Sequence, residues 1–274
     1  MIPLKLTDEN GTTFGVERVK NRQRVSTKEY FLEIVEGNIP DHNFIAKFGH
    51  DATTTTSTIE VWDGSIAYPY ATSEETLYLS STVEADNQSY EIQGLDGDWN
   101  PQTAVVTAAG PTGQDSVALP GTWIRVFRIK NVGSTDNAGT IYVSTDADTS
   151  DTAGVPATPA TQTRAQVSVG FNQTLMAIWA VPRNNTAYLT SMYASSADPT
   201  PGGSPLRSDI GLWVRPFGGV FQIKKLFSIE TGSTTQVFYD FPLRIEAKSD
   251  VRITSISNAT AKVSAGFDAW YEKD

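Results

Sequence analysis

From about residue 53 to the end of the chain, hydrophobic residues recur in short runs of period two or in continuous β-branched and aromatic stretches. Gly, Pro, Asn, Asp or Ser interrupts these runs at close intervals. Helical spacing is nearly absent. The pattern restricts the chain to all-β architectures, because a strand turns alternate side chains to one face and that face must pack on a second sheet. Candidate strands fall at 58–62, 76–82, 103–107, 123–129, 140–144, 165–169 and 175–181, then at 187–193, 210–215, 220–229, 237–241, 251–256 and 262–271. With no helices alternating between them, they predict an antiparallel β-sandwich, jelly-roll-like, and not a parallel α/β sheet.

Several strands carry a local mechanism. Gly218-Gly219 lies between two apolar runs, and paired glycines satisfy the positive φ angles of a type I′ hairpin turn. In the last strand Val263, Ala265, Phe267, Ala269 and Tyr271 share one face, which predicts a core side, and Trp270 falls on the other. The segment from Leu175 to Val181 is apolar on both faces, as expected of a strand buried on each side. Residues 145–163, rich in Thr, Asp, Ala and Pro, offer little to bury and predict a surface loop. That loop is also the one place where the body, residues 51–274, would subdivide. Residues 1–50 are more charged and predict an N-terminal anchoring arm, with 27–37 open to either helix or strand.

Composition excludes several functions. With 274 residues and 39% hydrophobic content the chain can bury one large β core or two small ones. It has no cysteine, so neither disulfides nor zinc–thiolate sites support the fold. The N-terminus lacks the apolar stretch of a signal peptide, and the longest apolar run, 175–182, is too short to span a bilayer. These features predict no membrane partner and synthesis in the cytoplasm. A net charge of −10 repels phosphate backbones unless bases gather in a patch. The one such group is Arg18, Lys20, Arg22, Arg24 and Lys28, whose alternate members share one side of an extended strand. A solvated arm is the first expectation for it, docking on an acidic protein surface the second, and nucleic-acid binding the last.

Chemistry-bearing patterns are sparse. The two histidines, His42 and His50, stand in the arm, and no Gly-x-Ser-x-Gly elbow, phosphate loop or dinucleotide fingerprint occurs. Asp63, Glu74, Glu75, Asp96, Asp98 and Glu246 are eligible as a glycosidase pair only in the sense that any two acids are. No catalytic residue and no cofactor is therefore expected. Asp96, Asp98 and Asn100 supply oxygens at the first, third and fifth positions of a calcium loop. Pro101 and Thr107 stand where that loop needs Gly and Glu, so a β-turn is the simpler reading. Asp146, Asp148 and Asp151 form a second acidic group of the same ambiguity. Trp62, Trp123, Trp179 and Trp213 are expected in the core or an interface. Trp99, in a turn, is the ring expected to be exposed and able to stack on a glycan.

The order of phrases along the chain carries a resemblance. Ile59-Glu60-Val61-Trp62-Asp63-Gly64, Leu77-Tyr78-Leu79-Ser80-Ser81-Thr82 with Asp86, Ile92-Gln93-Gly94-Leu95-Asp96, Arg125-Val126-Phe127-Arg128 and Asn137-Ala138-Gly139-Thr140-Ile141 come first. The run 172–182, Thr186-Ala187-Tyr188-Leu189 and the run 242–251 complete the series, so it covers roughly residues 55–270 in order. The series resembles virion structural proteins of tailed bacteriophages, of the head decoration, cement or head-fibre type. The resemblance implies a place in the virion, on the capsid exterior, with the major capsid protein and further copies of this chain as partners; a capsid is then the acidic surface on which the basic group would dock. Local three-fold positions on a capsid would then select homotrimers. A tail or baseplate component that contacts host glycans is the alternative it leaves open.

Overall fold

The computed structural model describes residues 30–109, 112–198 and 206–274, together with the backbone of four short strands before residue 30. The chain forms two units, Met1–Asn43 and Phe44–Asp274. In the first, Lys5–Thr7 (β1) pairs antiparallel with Thr13–Gly15 (β2), and Arg18–Val19 (β3) with Arg22–Gln23 (β4). Helix Tyr30–Val35 (α1) follows. Its end is a Schellman motif: Asn38 N–H donates to Glu33 O, Gly37 N–H donates to Ile34 O, and Gly37 has φ +73°. The backbone thus reverses within each strand pair, which shortens the reach expected of an extended arm.

Residues 44–50, expected in the arm, belong to His42–Thr54 (β5), a strand of the larger unit. Gly49 permits this placement, since a Cβ there would stand 2.1 Å from Val61 O and 2.5 Å from Ala177 N.

The larger unit holds two sandwiches, one inserted into the other. Strands β5 and Ile59–Glu60 (β6) open the parent sandwich. The chain then builds the inserted one from Tyr78–Ser81 (β7), Ser89–Leu95 (β8), Pro101–Thr107 (β9), Val117–Ala118 (β10) and Arg125–Asn131 (β11), closing with Ile141–Ser144 (β12) and Thr163–Val167 (β13). It returns through Ile178–Ala180 (β14), Asn185–Ala197 (β15), Arg207–Arg215 (β16) and Gln222–Glu230 (β17). Thr234–Ile245 (β18), Asp250–Ser257 (β19) and Ala261–Lys273 (β20) complete the parent.

In the inserted sandwich a sheet of order β10-β7-β12-β13 packs on β11-β8-β9 around Leu79, Tyr90, Ile92, Trp123, Ile129 and Ile141. In the parent, β14-β19-β16-β17, with β6 also on β19, packs on β18-β15-β20-β5 around Trp179, Leu189, Met192, Leu212, Ile253 and Phe267. The architecture is all-β and antiparallel, as the strand pattern requires. Of the one large or two small cores that the composition allows, the chain buries two, because it leaves the parent after β6 and re-enters at β14. Among the described residues no helix is long and apolar enough to cross a membrane.

The alternation in β20 is as expected, with Val263, Ala265, Phe267 and Ala269 buried. Residues 145–163 join β12 to β13, which pair with each other, so the chain does not divide there. The segment contains a 3-10 turn, Ser150–Thr152, and a short helix, Pro159–Gln162. The β16–β17 hairpin forms, but its turn is not type I′. Gly219 N–H donates to Pro216 O, and Gly218, third of the four residues, has φ +73°, the angle a type II turn requires there. Strands β5 and β8 have no counterpart among the sequence expectations. Both carry polar residues and a glycine; Gly94 of β8 sits where a Cβ would stand 2.1 Å from Arg125 O.

Candidate functional site

Strand β14 and its flanks join the two sandwiches. Ala177, Trp179 and Val181 enter the parent core, while Met176 and Ile178 pack with Trp62 and Tyr68, and Ala180 with Leu95, Trp99 and Ile124. Period-two alternation therefore sends one face to each neighbour, which is why this segment is apolar throughout.

Beside it lies a buried ionic and aromatic hub. Arg125, on the inserted sandwich, meets Asp250, on the parent, through two bonds: Nε to Oδ1 at 2.6 Å and Nη2 to Oδ2 at 3.0 Å. Arg125 Nη1 also donates to Ala71 O and Ile124 O. Arg215 reaches the same carboxylate at 2.6 Å, and Arg252 pairs with Glu60. Tyr70 lies against the Arg125 and Arg215 guanidiniums, at 5.4 and 4.5 Å from ring centroid to guanidinium carbon, and Phe221 against those of Arg215 and Arg252. Cation–π contact and bidentate pairing both suit arginine better than lysine. A cleft of about 540 Å³ opens over the hub, lined by Thr72, Glu74, Trp99, Arg125, Arg215 and Phe217 among others. Asp250 engages the two arginines facing the cleft, so the arrangement clamps the sandwiches together.

Two further groups are held in unusual states near the junction. Burial, aided by the Arg128 charge, lowers the Lys47 ammonium to about 7 against an opposing contribution from Asp63; its Nζ donates to Phe127 O. Burial pushes the Asp63 carboxyl up to about 8, against hydrogen bonds that include Ser168 N–H to Oδ2 at 3.2 Å. Asp63 Oδ1 is buried without a hydrogen-bond partner.

The opposite flank of the parent sandwich is bare. Among the described residues β17 pairs only with β16, and β18 only with β15. Bulges shape both edges. Ile223 lies opposite Trp213 and Lys225 opposite Leu212, so Lys224 is extra and Ile223 and Leu226 both face outward. In β18, Phe238 lies opposite Ser191 and Leu243 opposite Leu189, so residues 239–242 are extra on this strand; Tyr239 turns in to the parent core and Asp240, Phe241 and Pro242 stay exposed. Phe241, in this excursion, is 90% exposed, Phe238 69%, Leu226 61% and Ile223 44%.

The sites expected from sequence fare differently. Trp99 is 7% exposed, with φ +68°; Arg125 lies 5.0 Å from its ring centroid and Phe217 meets it edge-on at 5.7 Å. Burial in the junction overrides its turn position, so it offers no face to a glycan. Asp96 Oδ1 accepts from Asp98 N–H and Asn100 N–H, and both its oxygens accept from Asn100 Nδ2. Asp96, Asp98 and Asn100 thus form a turn. Burial opposes ionisation of Asp96, yet the Asn100 and Asp98 hydrogen bonds hold its carboxyl below the usual value. Asp146 and Asp148 likewise accept loop N–H groups, from Asp148 and Ala157 and from Ser150. Among the described residues no three His, Asp or Glu converge as a metal site.

Arg18 and Arg22 lie on the two paired strands β3 and β4, Arg18 opposite Gln23 and Arg22 opposite Val19, so the continuous basic strand expected is not formed. Lys20, Arg24 and Lys28 lie outside the described residues. His42 Nδ1 meets Pro40 O at 2.8 Å and His50 Nδ1 meets Ser264 Oγ at 2.9 Å. Trp62, Trp123 and Trp179 are core residues, whereas Trp213 is half-buried on the outer face, donating to Thr254 Oγ1. No local signal announced the hub or the bare flank, since both depend on residues far apart in sequence.

No family model and no curated protein matches this chain. Among solved structures, it is similar to a structure of the infectious bursal disease virus Gt strain, at 9% identity and a TM-score of 0.24 over 89% of this chain and 78% of that one. The N-terminal CBM22-1-CBM22-2 tandem domain from Paenibacillus barcinonensis Xyn10C gives 10% identity and a TM-score of 0.24, covering 84% and 93%. The infectious bursal disease virus VP2 subviral particle gives 10% and 0.17, covering 89% and 81%. Likenesses at this level carry no functional argument.

Proposed function

We propose that this chain is a structural protein of a tailed-phage virion, a decoration or cement protein that acts by binding and has no catalytic step. The resemblance of its phrases first suggested this reading. The observation that carries it furthest is the contrast between a clamped double sandwich and one flank left apolar and unpaired. A stiff body with an uncovered apolar edge suits a protein whose work is contact. In this reading the major capsid protein is the principal partner, the unit Met1–Asn43 supplies the attachment, and three copies assemble at local three-fold positions of the shell exterior. The tail-component alternative loses the exposed Trp99, one of the two features on which it rested, and keeps the 145–163 loop.

The test is binding of the purified full chain to phage heads that lack it, read by co-sedimentation and by electron microscopy of the particles. Saturable attachment at fixed lattice positions is expected. A chain that never sediments with heads and is absent from native particles would end this reading.

A further inference from the structure

The bare flank allows the partner to be named more closely. We propose that β17 and β18 form a self-complementary surface through which copies of this chain close into a ring, about an axis running along the strands. The inference deepens the reading above and rests on it for the copy number of three.

The geometry begins at the turn between the two strands. Ser233 N–H donates to Glu230 O across it, and Gly232 has φ +84°, so the chain reverses within residues 231–233. Strands β17 and β18 therefore run in opposite directions along one flank, each at the edge of a different sheet. Counting back from the turn, Leu226 stands level with Phe238, and Lys224 and Lys225 with the excursion that carries Asp240. Rotation about an axis parallel to the strands leaves every residue at its own height. It brings β17 of one copy beside β18 of the next, antiparallel, with the same residues level.

The chemistry matches at each level. Leu226 and Ile223 meet Phe238 and Phe241 of the neighbouring copy. Lys224 and Lys225 meet the neighbouring Asp240, and neither Lys225 nor Asp240 has an ion-pair partner among the described residues. A contact made by one edge alone would leave the other edge bare on every copy. The ring uses both.

The area is also of the right order. Taking roughly 150–200 Å² for a full apolar side chain, the four exposed residues present on the order of 400–500 Å². One ring contact sets two of these residues on one copy against the other two on its neighbour, so the four supply about half of the roughly 900 Å² of apolar surface in a standard interface of about 1,600 Å² counted over both partners. Pro242 and the bulge deny regular hydrogen bonding to the far half of β18, so main-chain pairing is confined to the half nearest the turn. This limit stops the edges from adding strands without end and leaves specificity to the side chains.

Light scattering on the full chain tests the surface, with charge reversal as the probe. The wild type is expected to form a closed oligomer. Asp240→Lys alone, and Lys224→Glu with Lys225→Glu, are each expected to weaken association at least tenfold. The triple variant, with the charges exchanged, is expected to restore it. All three positions are exposed, so circular dichroism should show unchanged folding. A monomeric wild type, an oligomer indifferent to both reversals, or a triple variant that stays dissociated overturns the proposal. A monomer that still attaches to heads would overturn this inference and leave the virion reading intact.

Discussion

One flank of the parent sandwich ends in β14, where Ile178, Trp179 and Ala180 are all buried; the other ends in β17 and β18, where Leu226, Phe238 and Phe241 face solvent. The first is sealed by the inserted sandwich and by the arginine hub beside it. The second has no cover within the chain. Each flank places large apolar side chains at the margin of a sheet, and covering such a margin removes apolar surface from water and is favourable. Where the chain supplies the cover, the edge becomes an internal junction. Where it does not, the edge is available to another molecule.

The contrast can be broken first at the hub. Asp250→Ala leaves Arg125 and Arg215 without their shared carboxylate, and removing one partner of a buried ion pair costs about 3–5 kcal/mol. Urea unfolding should show a loss of that size. A change below 1 kcal/mol would mean that the junction is held by apolar packing alone. Trp99→Ala, on the same flank, should cost about 3 kcal/mol through the cavity it leaves. If the protein bound glycans with wild-type stability lost in neither case, the sealed description of this flank would fail.

The junction should also register pH. Asp63 titrates near 8 in the folded chain and near 3.8 when unfolded. Below pH 3.8 it is neutral in both states. Between about 4 and 8 the unfolded chain releases the proton first, so stability falls as pH rises, at about 1.4 kcal/mol for each pKa unit realised. Lys47, lowered to about 7 from 10.5, acts with the opposite slope, and its cost is relieved only as pH rises from 7 to 10.5. Thermal melts should thus decline from pH 4 to 7, where Asp63 acts without Lys47. Asp63→Asn should flatten the decline and be the more stable form at pH 8. Parallel curves for the two proteins would show that the carboxyl ionises freely.

The smallest effect on the isolated fold is expected on the bare flank. Phe241→Ser should change unfolding stability by no more than about 0.5 kcal/mol at a protein concentration where the chain is dissociated. The same substitution should weaken self-association measurably in sedimentation velocity. A large loss of stability in the dissociated chain would place Phe241 in the core.

Much of the fold was legible locally. The alternation of β20 identified its core face, and the apolar run 175–181 identified a strand covered on both sides. Strand β5 was hidden because Lys47 and Asp51 stand at its buried positions, and β8, where Glu91 and Gln93 alternate with buried Tyr90 and Ile92, because Gly94 looks like a turn residue, as Gly49 does in β5. Those glycines are needed for close backbone approach. Trp99 misled for a related reason: a turn residue is normally exposed, yet this turn faces the neighbouring sandwich. The type I′ turn expected from Gly218-Gly219 gave way to another because only one of the two glycines takes a positive φ.

The amino-acid sequence by itself determined the strand pattern, the antiparallel class and the absence of covalent staples, because these depend on residues near one another in the chain or on composition. Tertiary structure alone decided that there are two cores, that Arg125 meets Asp250 across 125 positions, and that one edge is covered while another is bare. Whether an apolar side chain is buried depends on what stands opposite it. That is a property of three-dimensional packing, which no local run of residues encodes.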